Sequence, residues 1–357
     1  VTGREADLSD AACIAPAPSQ AGTLTLSLAS DTPAGATLPK NSAGSMLAKF
    51  NLMAGSSAVT VTGLRVHRVG VGSVGDFSNV YLYDSNGTRL TTGRTINSTT
   101  NTVEFNGLNL VVAAGQTSPL VLVGDVGAPS VTGGQHAFEV MDAASVITAT
   151  TGTTIGGSYP VRGNTFVIGT APAARLDVVK GSTPADVNVG STQVEISNFR
   201  LTANTNDIEV RRVTLFQGGD IGNSDIRNFN LYQGSALVAT AASVTGKGLT
   251  VLNFSPSYTI PNGNTRVFSL KADVMGRSGR TVKTYVEYST DIYAVDKTFG
   301  SGAQVCINST SPCSVGTFDR ASTNFISVTT KGGQRTIAFN GPATQNVAKG
   351  QNAVVLY

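Results

Sequence analysis

The side chains best suited to catalysis are scarce in this chain. Its 357 residues include only two histidines, His67 and His136. This is too few for a His-based zinc site, and neither lies at a spacing typical of a Ser-His-Asp or Cys-His arrangement. His67 lies among alternating apolar residues, and Phe216 takes the same place in a second copy of that pattern. We therefore predict a packing or surface role for His67 and no catalytic residue.

A glycine-rich segment, Gly70-Val-Gly-Ser-Val-Gly75, matches the GxGxxG pattern of dinucleotide-binding loops. That mechanism requires a following helix whose N-terminal amides bind the pyrophosphate. Here Asp76-Phe-Ser-Asn79 leads directly into a strand-like segment. The sequence therefore predicts a glycine-rich loop and no nucleotide site.

Carboxylates are the remaining candidates for acid-base chemistry. Glycoside hydrolysis requires two of them facing one bond. Six acidic residues are candidates, but they are spread over both copies and define no such pair: Glu104, Asp125, Glu139, Glu195, Glu209 and Glu287. Asp125 and Asp273 recur at matching places, which indicates a shared turn or cap. The sequence predicts that the chain is not an enzyme and has no cofactor, with calcium left open.

Calcium is the most reasonable ion, because it binds clustered oxygen ligands that glycine-rich loops can supply from their backbone carbonyls. Four aspartates in or beside corresponding loops are the candidate ligands: Asp76, Asp84, Asp220 and Asp225. No EF-hand or cadherin-type ligand string accompanies them. Calcium binding by these residues is thus an open prediction.

Two of the three cysteines, Cys306 and Cys313, flank a polar turn whose arms would bring the thiols together. A disulfide there would constrain a small loop by roughly 2–3 kcal/mol. The alternative, a metal pair, has no third or fourth ligand nearby. A disulfide indicates an oxidising compartment. Cys13 is left over, and it could be free, pair with another chain or carry a lipid.

Asn-X-Ser/Thr sequons occur at four turn-like places and are candidate glycosylation sites. They are Asn86, Asn97, Asn253 and Asn308. Several such sequons arise by chance in a chain rich in Ser, Thr and Asn. Glycosylation is therefore a candidate modification at these four positions.

Charge and hydropathy argue against several classes of protein. Charged residues make up 13% of the chain and the formal net charge is +3, with no Lys/Arg run. Nucleic-acid binding is therefore not predicted. No stretch of about 18 apolar residues occurs, so no transmembrane helix is predicted. The hydrophobic fraction of 40% is patterned, which argues against disorder.

The chain contains one pattern twice, at an offset of about 149 residues, a length typical of one domain. Three segments return: Asn79-Val-Tyr-Leu-Tyr83 as Asn228-Phe-Asn-Leu-Tyr232, Asp125-Val126 as Asp273-Val274, and Phe138-Glu-Val140 as Val286-Glu-Tyr288. A third opening begins at Pro342-Ala343. Serial copies of one module usually build length or surface, whereas catalysis needs one organised site.

Alternating apolar and polar residues predict short strands throughout, as at Leu24, Leu26 and Leu28. About nine such segments per copy, separated by Gly, Asn and Pro turns, predict an all-β fold of tandem Ig-like Greek-key β-sandwiches. A closed barrel is the alternative, but the uneven spacing between strands favours the sandwich. The short segment 169–174 contains a proline and predicts sandwiches placed end to end with limited freedom.

Four segments are predicted along the chain: a leader or linker at 1–21, a first sandwich at 22–171, a second at 172–332, and at 333–357 the start of a third module or an exchanged strand. The last segment ends in a strand-like run: Ala353, Val354, Val355, Leu356 and Tyr357. Two strands alone cannot bury a face and need a partner. Either the natural chain continues, or this strand pairs with the next subunit by β-augmentation.

The Thr-Pro-Ala openings, Asn-x-x-Leu-Tyr strands and Gly-x-Thr turns resemble the immunoglobulin-like repeats of prokaryotic cell-surface proteins, of surface-layer or extracellular fibre type. The antibody-type Cys…Trp…Cys core is missing. The resemblance implies an extracellular, cell-surface location and supplies no functional residue. It implies a structural subunit that assembles with copies of itself into a surface layer or filament. The alternative is an adhesin or carbohydrate-binding stalk with glycan partners, and an enzyme would need a catalytic region outside this chain.

Overall fold

A computed structural model describes residues 22–307, 313, 326–332, 346 and 348–350 of the chain. Across these residues the protein consists of strands, turns and short 3₁₀ segments, with no α-helix. The predicted class, all-β with sandwich architecture, is confirmed. The alternation of apolar and polar residues produces it, because successive side chains of a strand point to opposite faces.

The first half of the chain contains twelve of the described strands. They are β1 (Thr23–Leu28), β2 (Thr37–Lys40), β3 (Ser45–Ala54), β4 (Val59–Val69), β5 (Phe77–Asp84), β6 (Thr102–Val112), β7 (Thr117–Val126), β8 (Gln135–Val140), β9 (Val146–Thr148), β10 (Thr154–Gly156), β11 (Val161–Arg162) and β12 (Phe166–Pro172). One sheet has the order β10-β1-β3-β7-β5 and the other β2-β12-β8-β4-β6. From β3 to β8 every connection changes sheet, as in a Greek-key sandwich.

The second half contains thirteen described strands. They are β13 (Arg175–Lys180), β14 (Val187–Asn188), β15 (Ser191–Asn204), β16 (Ile208–Gln217), β17 (Ile226–Gln233), β18 (Ala236–Ser243), β19 (Leu249–Ile260), β20 (Thr265–Val274), β21 (Thr281–Tyr285), β22 (Ile292–Asp296), β23 (Ser301–Gly302), β24 (Gln304–Ile307) and β25 (Ile326–Lys331). Because β18 pairs with both β17 and β19, it joins the two layers of this half along one edge.

The strand pairings of the first half recur in the second. The order β13-β15-β20-β17 repeats β1-β3-β7-β5, and β25-β21-β16-β19 repeats β12-β8-β4-β6. A register shift follows Val61 in β4, and the corresponding shift follows Val210 in β16. Each half encloses its own apolar core between its sheets. The pairing register therefore defines which residues of the two halves are equivalent.

One match inferred from the sequence is wrong by two positions. On β4 and β8, His67 pairs with Glu139, whereas on β16 and β21 Phe216 pairs with Tyr285. Glu139 is thus equivalent to Tyr285. Glu287 lies beyond the end of β21 and has a different position in the fold.

Four 3₁₀ turns of three residues each precede strands at equivalent places in the two halves. They are Val74–Asp76, Ala143–Ser145, Asn223–Asp225 and Ser289–Asp291. Asp142 caps the second of them, since its carboxylate accepts hydrogen bonds from the backbone and hydroxyl of Ser145. These short turns place polar side chains at the ends of the sandwiches.

The glycine-rich loop at 70–75 closes over a buried histidine. His136 is fully buried, and its Nε2 donates to Asp76 Oδ2 at 2.9 Å while its Nδ1 accepts from Arg68 at 2.9 Å. Burial and the neighbouring Arg68 charge lower the pKa of His136, which keeps the ring neutral. A Cβ on Gly72 would overlap this ring. The loop therefore needs glycine at this position because its backbone packs closely against the His136 ring.

We expect the Gly72→Ala variant to lower the free energy of unfolding by about 1–3 kcal/mol, because the added methyl group must displace the buried His136 ring. Gly75→Ala is the matched control in the same loop, since its Cβ would meet no atom closer than 3.5 Å. We expect it to change stability by less than about 0.5 kcal/mol. Urea unfolding followed by circular dichroism measures both. Equal losses would contradict this account of the loop.

Candidate functional site

The most distinctive polar cluster in the described structure lies between the two halves. Arg89 of the first half donates from Nε to Asp291 Oδ1 at 2.9 Å and from a terminal nitrogen to Glu287 Oε2 at 2.5 Å. All three side chains are buried, with side-chain exposures of 6%, 1% and 8% for Arg89, Asp291 and Glu287. A buried ion pair of this kind fixes geometry, because neither charge can leave its partner without a large penalty.

Local turns place these charges. The Asp84 carboxylate accepts from the backbone amides of Asn86 and Thr88 and so closes the hairpin turn after β5. The returning chain then forms a bridge between Arg89 and Tyr83. On the other side, Asp291 Oδ2 accepts from the Tyr288 amide at 3.0 Å and stabilises the turn Ser289–Asp291. Contacts within its own half therefore orient each partner.

A third carboxylate, that of Asp125, completes the contact. Asp125, near the end of β7, is fully buried and accepts from the Gly44 amide at 2.8 Å and from the Tyr81 hydroxyl at 2.9 Å. Ser289 of the second half also donates to it, at 3.2 Å. One aspartate thus links β5, the start of β3 and the turn of the opposite half.

Aromatic rings fill the space around these charges. Tyr81 meets Tyr288 edge to face at 5.9 Å between centroids, and the Arg89 guanidinium lies 3.9 Å from the Tyr288 centroid. Tyr83 donates to Thr290 Oγ1 at 2.8 Å, and Arg212 lies over its ring at 4.7 Å. The outer face of β5 and β7 is therefore packed against the turn of the second half, where the sequence had predicted end-to-end sandwiches.

Burial and the neighbouring charges shift the pKa values of the residues in this cluster. Burial raises the pKa of Asp125 to about 6, against the lowering effect of its hydrogen bonds. Burial also raises the pKa of Asp291, although Arg89 opposes it. The pKa of Arg89 is raised by Asp291 despite the opposing effect of burial. The arrangement holds charges rigidly but exposes no nucleophile or acid to solvent.

The structure does not bring the four calcium candidates together. The Asp76 carboxylate accepts hydrogen bonds from His136 and from the backbone amides of Ser73 and Val131. Asp84 lies at the far end of β5, where it closes the hairpin turn. Asp220 accepts from Thr281 and Arg280, whereas Asp225 is in the turn before β17. Among the described residues, no three potential ligands form a group that could hold a metal ion.

The six candidate acid-base carboxylates are likewise separated. Of the six, Asp125 and Glu287 lie at the contact between the halves, where Asp125 accepts from Ser289 and Glu287 from Arg89. The other four have local partners: Glu104 pairs with Arg65, Glu139 with His67, Glu195 with Asn198 and Glu209 with Arg211. Asp125 and Asp273 do share a capping role, because Asp273 accepts from the Gln193 amide as Asp125 does from Gly44.

Two sequon asparagines lie across the contact from each other. Both are exposed, and Asn253 donates from its side chain to the Asn86 carbonyl at 2.9 Å. Asn97 is exposed, and its side-chain oxygen accepts from the amides of Thr99 and Thr100. Asn308 lies outside the described residues, as do Cys13 and the predicted strand Ala353–Tyr357.

Cys306 on β24 and Cys313 are joined by a disulfide in the structure, with Cα atoms 5.0 Å apart. Cys306 is fully buried. The parallel pairing of β24 with β13 places this cross-link at one edge of the second half. The bond therefore ties the chain after β24 to the edge of that sheet.

Sequence reasoning missed Arg89, Asp291 and Tyr288. One signal was present: β7 is apolar at every position from Leu120 to Val123, whereas the equivalent β20 alternates Phe268-Ser-Leu-Lys271. A strand buried on both faces reads as a continuous apolar run. The contrast between two otherwise similar copies marks the face that is covered.

Comparisons with known proteins identify no family. No protein-family model matches the chain, and no curated protein sequence matches it. Among solved structures, it is similar to the C-terminal domain of the Streptococcus agalactiae AgI/II polypeptide BspA, with 10% identity, 76% of this chain and 95% of that chain covered, and a TM-score of 0.21. The BSP domain of a biofilm associated protein gives 9% identity, coverage of 87% and 61%, and a TM-score of 0.23.

The Actinomyces fimbrial adhesin FimA gives 11% identity, coverage of 80% and 98%, and a TM-score of 0.18. Likenesses this distant support no conclusion about the function of the chain. Separately, the described residues contain no helix that is long and apolar enough to cross a bilayer.

We expect Arg89→Ala to destabilise the protein by about 3–5 kcal/mol at neutral pH, because it leaves Glu287 and Asp291 buried without their cation. Arg65→Ala is the matched control, since its pair with Glu104 is exposed and contributes about 0–1 kcal/mol. Urea unfolding followed by tyrosine fluorescence reports on the contact directly. Similar losses in both variants would contradict a dominant role for the buried pair.

The contribution of Asp125 to stability should fall as pH rises between about 4 and 6, because the pKa of its carboxyl is about 6 in the folded chain and 3.8 in the unfolded chain. The Asp125→Asn variant keeps an acceptor for the Gly44 amide but has no proton to lose. Its stability relative to wild type should therefore rise by about 2–3 kcal/mol across this window. Urea unfolding at several pH values measures the difference, and the exposed Glu104→Gln serves as control. Parallel pH profiles for wild type and Asp125→Asn would contradict the assignment.

Proposed function

We propose that the chain is a structural subunit of an extracellular surface assembly, a layer or filament, built by contacts between β-sandwich modules. The observation that carries this proposal is the contact itself: two equivalent units are held by a buried ionic cluster enclosed in aromatic rings. Such a contact holds two modules in a fixed arrangement and presents no reactive group to solvent. The modules of this proposal are residues 22–171 and 172–332.

Several features support an extracellular setting. The disulfide between Cys306 and Cys313 suits an oxidising compartment. Exposed sequons at Asn86, Asn97 and Asn253 suit a surface that carries glycans. Low charge and many tight turns produce compact sandwiches with few reactive groups. The predicted terminal strand Ala353–Tyr357 would add a second kind of contact by β-augmentation.

A second candidate function rests on a cleft of about 300 Å³ between the halves. Tyr293, Arg211 and Phe254 line it, together with Asn86 and Asn253. Aromatic rings beside planar hydrogen-bonding groups suit a sugar, because one side of a pyranose is apolar and its edges are polar. The protein would then be an adhesin or carbohydrate-binding stalk.

Negative-stain electron microscopy of the purified protein, with sedimentation over a range of concentrations, separates the two candidates. A structural subunit should form regular polymers through contacts that bury roughly 2,000 Å² or more per subunit. A stalk should stay monomeric and bind members of a glycan array, with binding lost in Tyr293→Ala. Monomers at all concentrations would overturn the structural proposal, and unchanged glycan binding in Tyr293→Ala would overturn the second.

A further inference from the structure

Each side of the internal contact has a counterpart that makes no such contact within the part of the chain that the structure describes. The first half supplies a sheet surface to the contact and the second half supplies a turn. The second half carries the equivalent sheet surface, which we call the free sheet face: Asn230, Tyr232, Leu237, Ser269 and Lys271. The first half carries the equivalent turn, which we call the free turn face: Met141, Asp142, the turn Ala143–Ser145 and Ile147.

The pairing register establishes the equivalence of the sheet faces. Tyr81 pairs with Val123 across β5 and β7, and Asn230 pairs with Lys271 across β17 and β20. By the same register, Tyr83 is equivalent to Tyr232. Tyr83 forms a bridge with Arg89, and Tyr232 pairs with Leu237. Leu237 therefore takes the position of the buried Arg89.

The turn faces are equivalent by the same criterion. Gly63 pairs with Ile147 as Arg212 pairs with Tyr293, with the same register shift beside each pair. Asp142 and Tyr288 are the N-cap residues of the two equivalent 3₁₀ turns. Met141 immediately precedes Asp142, and Glu287 immediately precedes Tyr288. Met141 thus takes the position of the buried Glu287.

The counterparts of the buried ion pair are both apolar and so could pack against each other. Arg89 and Glu287 form a buried ion pair, and both of their counterparts are apolar and exposed: Leu237 at 51% and Met141 at 49%. Ile147, the counterpart of Tyr293, is also exposed at 43%. Leu237, Met141 and Ile147 would lose this exposure if a second copy covered each open face.

The aromatic residues of the internal contact have polar counterparts on the free faces. Tyr81 and Tyr288 meet edge to face inside the molecule, and their counterparts are the polar residues Asn230 and Asp142. Val123, beside Tyr81, is replaced by Lys271, whose ammonium lies over the Tyr232 ring at 5.2 Å. A cation on the free sheet face would thus meet an aspartate on the free turn face.

We propose that the free turn face of one copy binds the free sheet face of a second copy, in the geometry of the internal contact. Met141 meets Leu237, and Asp142 lies beside Asn230 and Lys271. This inference rests on the proposed function and names its contact surfaces. Because the two faces differ, the contact is heterologous and repeats along an open filament unless the rotation closes a ring.

Charge substitutions that rebuild the internal ion pair across copies test this contact. Met141→Glu and Leu237→Arg should each weaken self-association at least tenfold, because each places one charge opposite an apolar residue. An equimolar mixture of the two variants should recover association, since one junction pairs the new charges and the next retains Met141 against Leu237. Val71→Arg and Val131→Glu, exposed at 85% and 58% before substitution, are the controls.

Sedimentation velocity measures association, and circular dichroism verifies that every variant is folded. If wild type associates and the Met141 and Leu237 variants associate equally well, the contact is overturned while the proposed function stands. If the controls weaken association as much, the contact is also overturned. If wild type stays monomeric at every concentration, both the contact and the proposed structural function fall.

Discussion

The relative orientation of the two halves depends on one buried guanidinium. Arg89 of the first half forms ion pairs with Glu287 and Asp291 of the second half, and all three side chains are buried. A rotation of one half would leave at least one of these charges buried without a partner, at a cost of several kcal/mol. Burying an ion pair adds little net stability compared with apolar residues, so its main effect is to select one arrangement.

The ion pair can fix one arrangement because the surface around it is apolar. This surface is the outer face of β5 and β7, a kind of face that solvent usually covers. β7 is buried continuously from Leu120 to Val126, whereas β20 alternates between buried and more exposed positions from Phe268 to Lys271. Tyr81 and Tyr83 extend this covered surface across β5. The rings exclude water from the ion pair, and the ion pair determines where the rings lie. Neither part would fix the contact without the other.

Much of the fold could be predicted from the chain alone, because it depends on local signals. Alternation predicted strands, Asp84-Ser-Asn-Gly87 predicted a hairpin turn, and recurring segments predicted equivalent strands in two copies. The contact could not be predicted in the same way. Arg89 and Glu287 are 198 residues apart and neither belongs to a motif. A short linker limits the distance between sandwiches but not the face that one presents to the other.

The mismatch of Glu139 with Glu287 has the same origin. Glu139 and Glu287 lie in similar short sequences, but the strand register shifts that alignment by two residues. The register makes Met141 the counterpart of Glu287. Similar strings are weak evidence when a sandwich tolerates many side chains at exposed positions. Strand pairing is stronger evidence, because a one-residue slip would turn every core side chain outward.

In the proposed contact between copies, apolar residues take the places that charged residues have in the internal contact, which suits a contact that must be able to form and separate. Arg89 and Glu287 are joined by one chain and need not part once folded, so a charged pair is tolerated there. At an open face, charged residues are stabilised by hydration when the partner leaves, which favours the separated state. Leu237 and Met141 instead favour contact by about 25 cal/mol for each Å² of apolar surface that is covered. Asp142 and Lys271 at the same faces keep them polar enough to remain in solution before they meet.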